Sequence, residues 1–166
     1  MVAAILFTCY RRSDVFSNPE FCEVFLQVLD RERKALAWEV WAYVVMPDHV
    51  HVLAWPTVPE YSVSEFLRAI KQPAAVTVLS RMRYAEDPNL SRVWNASSGK
   101  HRLWQPGGGH DRNLVGRDKI LPVIDYIHNN PVDAKLVTAP GQYRWSSAAF
   151  YEGRQEAPSQ VDRYVP

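Results

Sequence analysis

Long apolar runs are missing from this chain, and so is any excess of charge: 19 Lys and Arg stand against 18 Asp and Glu, a net charge of +1 over 166 residues. The first absence argues against a membrane-spanning helix, which needs about 20 consecutive apolar residues. The amino terminus also lacks a charged-then-apolar signal pattern, so a cytoplasmic location with no membrane partner is expected. Balanced charge removes any global pull on nucleic acid. Such a role must then rest on local clusters, of which Arg11-Arg12, Arg81 with Arg83, and Lys100 with Arg102 are available. Cysteine is scarce: Cys9 and Cys22 have neither the number nor the spacing of a disulfide framework or a zinc site, and both read as reduced core residues. Glycine is sparse too, yet three stand together in Pro106-Gly-Gly-Gly109, a run that lacks the Lys-Ser/Thr ending of a P-loop.

What is present is an ordinary globular composition, 47% hydrophobic and 22% charged, in a length that suits one domain. Val2 to Tyr10 reads as a central strand. Asn18-Pro19-Glu20 opens a helix whose stripe is Phe21, Val24, Phe25, Val28 and Leu29. Trp38 to Met46 and His49 to Trp55 read as two strands joined by a very tight turn. Ser62-Val-Ser-Glu65 has the spacing of a capping box for a second helix with the stripe Phe66, Leu67, Ile70, Val76, Leu79 and Met82. Pro73 predicts a kink or break in it near Gln72. Arg68 and Lys71 fall on its polar side, where they can meet phosphates or simply be solvated. From Tyr84 to Lys100 no period is visible, and His101 to Gln105 is expected as the fourth strand. Asp118 is expected to cap a third helix that ends near Asn130 under the influence of Pro131. Val132 to Val137 and Tyr143 to Ser147 read as a packed extension, and residues 151–166 as a loosely held polar tail behind a domain of residues 1–150. This order of elements predicts an α+β fold, a ferredoxin-like antiparallel sheet with helices on one face.

Chemistry concentrates at His49-Val-His51. Strand alternation turns both imidazoles to one face, with Leu53 and Trp55 continuing it and Val50, Val52 and Ala54 on the other. Two neutral imidazoles so placed can share a metal ion; they can also be hydrogen-bonded core residues, each needing a partner. A histidine-triad nucleotide hydrolase would need a third histidine where Leu53 stands. A phosphodiester oxygen polarised by such a metal requires a nucleophile. Tyr126, at the edge of the third helix, can serve by forming a phosphotyrosine or can be a packed edge residue with its hydroxyl in water. Asn130, one turn on, can add an amide oxygen, and such a donor set suits Mg²⁺ or Mn²⁺ better than a structural zinc.

Val44-Val-Met-Pro-Asp48 before His49-Val-His51, Trp104-Gln105 with His110-Asp-Arg112, Asp125-Tyr-Ile-His-Asn-Asn-Pro-Val132 and Tyr143-Arg-Trp-Ser-Ser147, in that order, resemble the REP-associated tyrosine transposases of the HUH single-tyrosine superfamily. The resemblance spans nearly the whole chain. It implies a single-strand DNA transesterase that recognises repetitive palindromic hairpins and links its tyrosine to a 5′-phosphate. It assigns His49 and His51 to the metal, Tyr126 to nucleophilic attack and Asn130 to a third ligand. Single-stranded or hairpin DNA is the implied partner, and Lys71 and Arg112 are expected as DNA contacts; His110 and His128 can be proton carriers or phosphate contacts, or simply exposed histidines. A monomer is implied, with a homodimer as the alternative. The chain departs from the family pattern at Pro73 and at Pro106-Gly-Gly-Gly109. A non-catalytic single-strand-binding module on the same sheet is the competing expectation.

Overall fold

The computed structural model describes residues 1–107, 110–114, 117–154 and 161–165, of which 110–114 and 117 are described by their backbone. The elements run β1 (Val2–Thr8), α1 (Pro19–Ala35), β2 (Trp38–Val45), β3 (His49–Pro56) and α2 (Val63–Tyr84). A short hairpin follows, β4 (Trp94–Asn95) with β5 (Lys100–His101), then β6 (His110–Leu114), α3 (Ile120–Asp133) and a single turn, α4 (Ala148–Tyr151). Four strands form an antiparallel sheet in the order β2-β3-β1-β6, the ferredoxin-like arrangement. Asn18 Oδ1 accepts from Glu20 N at 3.0 Å and Ser62 Oγ from Glu65 N at 3.2 Å, so both expected helix starts form.

Helices α1 and α2 cover one face. Ile5 and Phe7 of β1, Val40, Tyr43 and Val45 of β2, and Val50, Val52 and Ala54 of β3 meet Phe21, Phe25, Leu29, Phe66, Ile70 and Met82 there. A bulge between Val40 and Ala42 shifts the parity of β2, so Trp41, Ala42 and Val44 go to the opposite face. The third helix lies on that opposite face. Ile120, Ile124 and Ile127 pack against Val44 and Leu53, so the expected one-sided helix layer describes α1 and α2 while α3 adds a second layer.

Four expectations about elements change. The fourth strand is His110–Leu114 on the β1 edge, whereas Lys100–His101 only pairs with Trp94–Asn95 and Trp104 bridges Cys9. Its polar sequence has no apolar alternation because an edge strand needs none. Second, α2 runs unbroken through Pro73, so its phase carries on: Ala74 and Val78 are buried and Val76 is 65% exposed. Third, α3 continues through Pro131 to Asp133, and Asp118 lies in a preceding 3-10 turn without capping it. Asn129 Nδ2 donates to Asp125 O at 2.8 Å and Asn130 Nδ2 to Tyr126 O at 2.9 Å, which ties down the turn that Pro131 enters. Fourth, residues 161–165 of the expected loose tail are held against the body, while 155–160 and 166 lie outside the described residues. Val161 and Tyr164 are buried, Asp162 N donates to Val40 O at 2.8 Å, and its carboxylate takes Arg33 Nη1 at 2.5 Å.

The expected extension does pack. Val45 N donates to Trp145 O and Ser147 N to Tyr43 O, while Tyr143 Oη donates to Val45 O at 2.9 Å, which lines the outer edge of β2. Cys9 and Cys22 are free and buried.

Candidate active site

His49 heads β3 because the turn before it closes in the fewest residues: Met46 N donates to His49 O at 2.8 Å. The turn is pinned from outside, Pro47 O accepting from Phe16 N and Asp48 O from Cys9 N. A rigid turn fixes where the first imidazole points. His49 Nδ1 sits 2.6 Å from Asp48 Oδ1, and Asp48 Oδ2 meets Arg12 Nη2 at 2.9 Å. The carboxylate selects the tautomer with the proton on Nδ1 and leaves the Nε2 lone pair free to meet a ligand, as carboxylates do where they orient metal-binding imidazoles. Arg12 reaches Asp48 from a left-handed backbone, as Arg11 and Arg12 both have φ of 52°. From sequence Arg12 is only one of a basic pair and Asp48 only the end of the segment before His49, with no role given to either at the site; a carboxylate directly before the first histidine in a tight turn is the signal that could have found their contact.

His51 faces the same way as His49, their ring centroids 5.1 Å apart and nearly perpendicular. It is 7% exposed, and burial, helped by the neighbouring His49, pushes its pKa down to about 4. A neutral ring is the form that ligates. Helix α3 brings Tyr126 to this face, its ring centroid 5.6 Å from that of His51 at 88°. Tyr126 is 57% exposed, so it meets solvent on one side and an imidazole on the other. The two-histidine face and the tyrosine therefore meet within one chain. Asn130 lies one turn further along α3, half-buried, with its amide nitrogen committed to Tyr126 O and its amide oxygen left as an acceptor.

The donor set suits a hard or borderline divalent cation. Two neutral imidazoles, one oriented by a carboxylate, and an amide oxygen match a site that keeps positions open for solvent and substrate. Among the described residues there is no cluster of three or more His, Cys, Asp and Glu, so the protein donors would be His49, His51 and Asn130.

Other expected site residues lie elsewhere. Lys71, on α2, is on the far side of the sheet. Its ammonium stands 5.6 Å from the Phe7 ring centre and 3.4 Å from Gly107 O, and burial lowers its pKa. It borders a groove of about 350 Å³ with Leu67, Arg68 and Trp104 and is less solvated than its place on the polar side of α2 predicts. Arg112 pairs with Ala4 in backbone register; its side chain, like that of His110, lies outside the described residues. His128 is buried rather than exposed. Its Nε2 lies 2.8 Å from Ser147 Oγ, and burial takes its pKa down to about 4, a structural tie between α3 and the extension beside β2.

The fold and this site define a class by geometry: a mixed sheet-and-helix scaffold in which two strand histidines meet a helix tyrosine within one chain. The IS200-like transposase family model matches residues 1–130, and the chain belongs to that family, whose members process DNA. Among solved structures, a REP-associated tyrosine transposase bound to a REP hairpin is similar over 99% of this chain and 93% of its own, with a TM-score of 0.68 and 17% identity. A putative transposase from Deinococcus radiodurans R1 is similar over 78% of this chain and 89% of its own, with a TM-score of 0.52 and 21% identity. At those identities the two structures speak for the fold. The comparison with curated proteins gave no match.

Proposed function

We propose that this chain is a metal-dependent single-strand DNA endonuclease and strand transferase that acts on repetitive palindromic hairpin DNA through a covalent 5′-phosphotyrosine on Tyr126. The observation that carries the reading is the 5.6 Å approach of Tyr126 to His51, with His49 beside it and Asn130 one turn away. Family membership supplies the DNA-processing class, and the fold is that of a transposase solved with a REP hairpin.

His49, His51 and Asn130 would hold Mg²⁺ or Mn²⁺, which when bound lends Lewis acidity to a phosphodiester oxygen. The chain's own groups do the rest. Asp48, held by Arg12, keeps the His49 lone pair turned outward, and burial keeps His51 neutral. Tyr126 Oη forms the new bond to phosphorus as the P–O3′ bond breaks. The phenol loses its proton to solvent and the departing 3′-oxygen gains one, so one phosphodiester is exchanged for another without an external energy source. Attack by a different 3′-hydroxyl reverses the exchange and joins strands. A single nucleophile facing its own chain's histidines fits a monomer. Arg112, on the β1 edge, and Lys71, from the opposite face, remain the proposed phosphate contacts.

The test is incubation with a labelled single-stranded hairpin oligonucleotide and Mn²⁺. The wild type is expected to give a denaturation-resistant protein–DNA adduct that Tyr126→Phe and His51→Ala abolish. A salt-sensitive mobility shift without adduct across several cognate hairpins would leave the single-strand-binding reading instead.

A further inference from the structure

The β4–β5 hairpin is an addition to the ferredoxin-like plan, and it leaves the body at the same end of the sheet as His49. The backbone fixes this. Thr8 pairs with His49 in register, Cys9 N donates to Asp48 O, Tyr10 N donates to Leu103 O, and Arg102 N donates to Val93 O at the root of the hairpin, the last three each at 2.8 Å. Gln105 returns to the same place, its amide donating to Thr8 O and its Oε1 accepting from Arg11 N at 3.0 Å. The hairpin and the Arg11-Arg12 turn therefore form one continuous rim beside the first histidine.

Its chemistry is unlike that of an idle loop. Trp94 is 42% exposed and rests edge-on against His101 at 4.9 Å, an aromatic face turned to solvent with a second ring to hold it. Lys100 and Arg102 flank it, both exposed, and among the described residues neither is paired with a carboxylate. Arg11 is exposed as well, its guanidinium over the Tyr10 ring at 5.2 Å. Arg102 Nε has only a long 3.5 Å contact to Ser98 Oγ. Cations without a carboxylate partner around an exposed ring are what single strands use: the cations meet phosphates, and the ring stacks on any base. An overall charge of +1 makes such a local concentration stand out.

We infer that this rim, with Trp94, Lys100, Arg102 and Arg11, is the surface that grips the single strand running into the histidine site, by stacking one base and neutralising its phosphates. The inference rests on the proposed DNA-strand chemistry and names the surface that holds its substrate. It commits to the unpaired strand that flanks a hairpin, since an exposed ring has no face to stack on in a closed duplex.

Binding of a fluorescent hairpin oligonucleotide with a single-stranded flank, read by anisotropy in the Tyr126→Phe background, tests it without cleavage. The Lys100→Gln/Arg102→Gln variant is expected to bind about tenfold more weakly and to lower the salt slope by about 1.4, two phosphate contacts on a single strand. Trp94→Ala should lose roughly 5-fold to 100-fold, and Trp94→Phe, which keeps a stacking face, should retain most of the affinity. A charge-matched control, Arg31→Gln/Lys34→Gln, takes two cations from the far end of α1 and should bind like wild type. Unchanged affinity and slope in the rim variants overturn the inference, as does an equal loss in the control. So does an equal loss on a hairpin trimmed of its flank, which would mean that the rim reads duplex. A wild type that forms no adduct while rim variants still lose binding sinks the catalytic reading and leaves the rim standing; the converse result does the opposite.

Discussion

The two faces of the central sheet are built for different purposes. Under α1 and α2 the packing is dry: Phe7, Phe16, Phe25 and Trp104 meet with ring centroids 4.8 to 6.1 Å apart, and every aliphatic side chain of β3 on that side is sealed. Under α3 the apolar cluster is smaller and polar groups enter it. His51, His128, Ser146 and Ser147 are buried, with Ser147 Oγ against His128 Nε2, and Tyr126 opens to solvent. One face stabilises the fold by excluding water from apolar surface. The other spends part of that stability on uncharged imidazoles, which must find partners once out of water.

The sharpest test of that division is Tyr126→Phe, expected to cut adduct formation at least about a thousandfold, the scale on which loss of a nucleophile acts. Because Tyr126 is 57% exposed, its stability in denaturant titration should move by less than about 0.5 kcal/mol. Phe25→Ala reverses the pattern. It empties a site with no exposure at the centre of the aromatic cluster and should cost roughly 3–5 kcal/mol in the same titration.

Acid should act through the histidine face. His51 and His128 titrate at about 4 in the folded chain against 6.5 when unfolded, so the unfolded chain takes up protons first as pH falls. Stability is therefore complete above about pH 6.5 and declines toward pH 4, by about 3 kcal/mol for each imidazole. His128→Gln should flatten roughly half of that decline, read by urea titration at a series of pH values. Asp48→Asn removes the acceptor that orients His49, and Mn²⁺ affinity by calorimetry should weaken about 10-fold to 100-fold with little change in melting temperature. Smallest of all is Val76→Ala, within about 0.5 kcal/mol because α2 turns that side chain outward, whereas Val78→Ala should cost clearly more.

Sequence periodicity conveys the dry face well, since Val50, Val52 and Ala54 alternate with the histidines as strand geometry requires. It also places His49, His51 and Tyr126, residues whose chemistry is visible in one dimension. What it cannot convey is the side of the sheet on which a helix lands. Nothing local in Ile120 to Ile127 says that α3 crosses opposite α1 and α2, and that choice alone brings Tyr126 to His51. Strand β6 stayed hidden because His-Asp-Arg-Asn-Leu is polar on an edge that needs no apolar alternation. Pro73 and Pro131 misled in the other direction: each removes one hydrogen bond, yet packing and the Asn129 and Asn130 side chains keep the helices intact. Asp48 and Arg12 are a contact between separate segments, and only the folded chain reveals their bond.

Mass spectrometry of the protein digested after reaction with a hairpin oligonucleotide and Mn²⁺ tests most directly whether Tyr126 is the nucleophile. One modified peptide is expected, containing Tyr126 and carrying the oligonucleotide through its 5′-phosphate, with a free 3′-hydroxyl on the released fragment. A linkage on any other residue, or an adduct that survives Tyr126→Phe, would contradict that assignment.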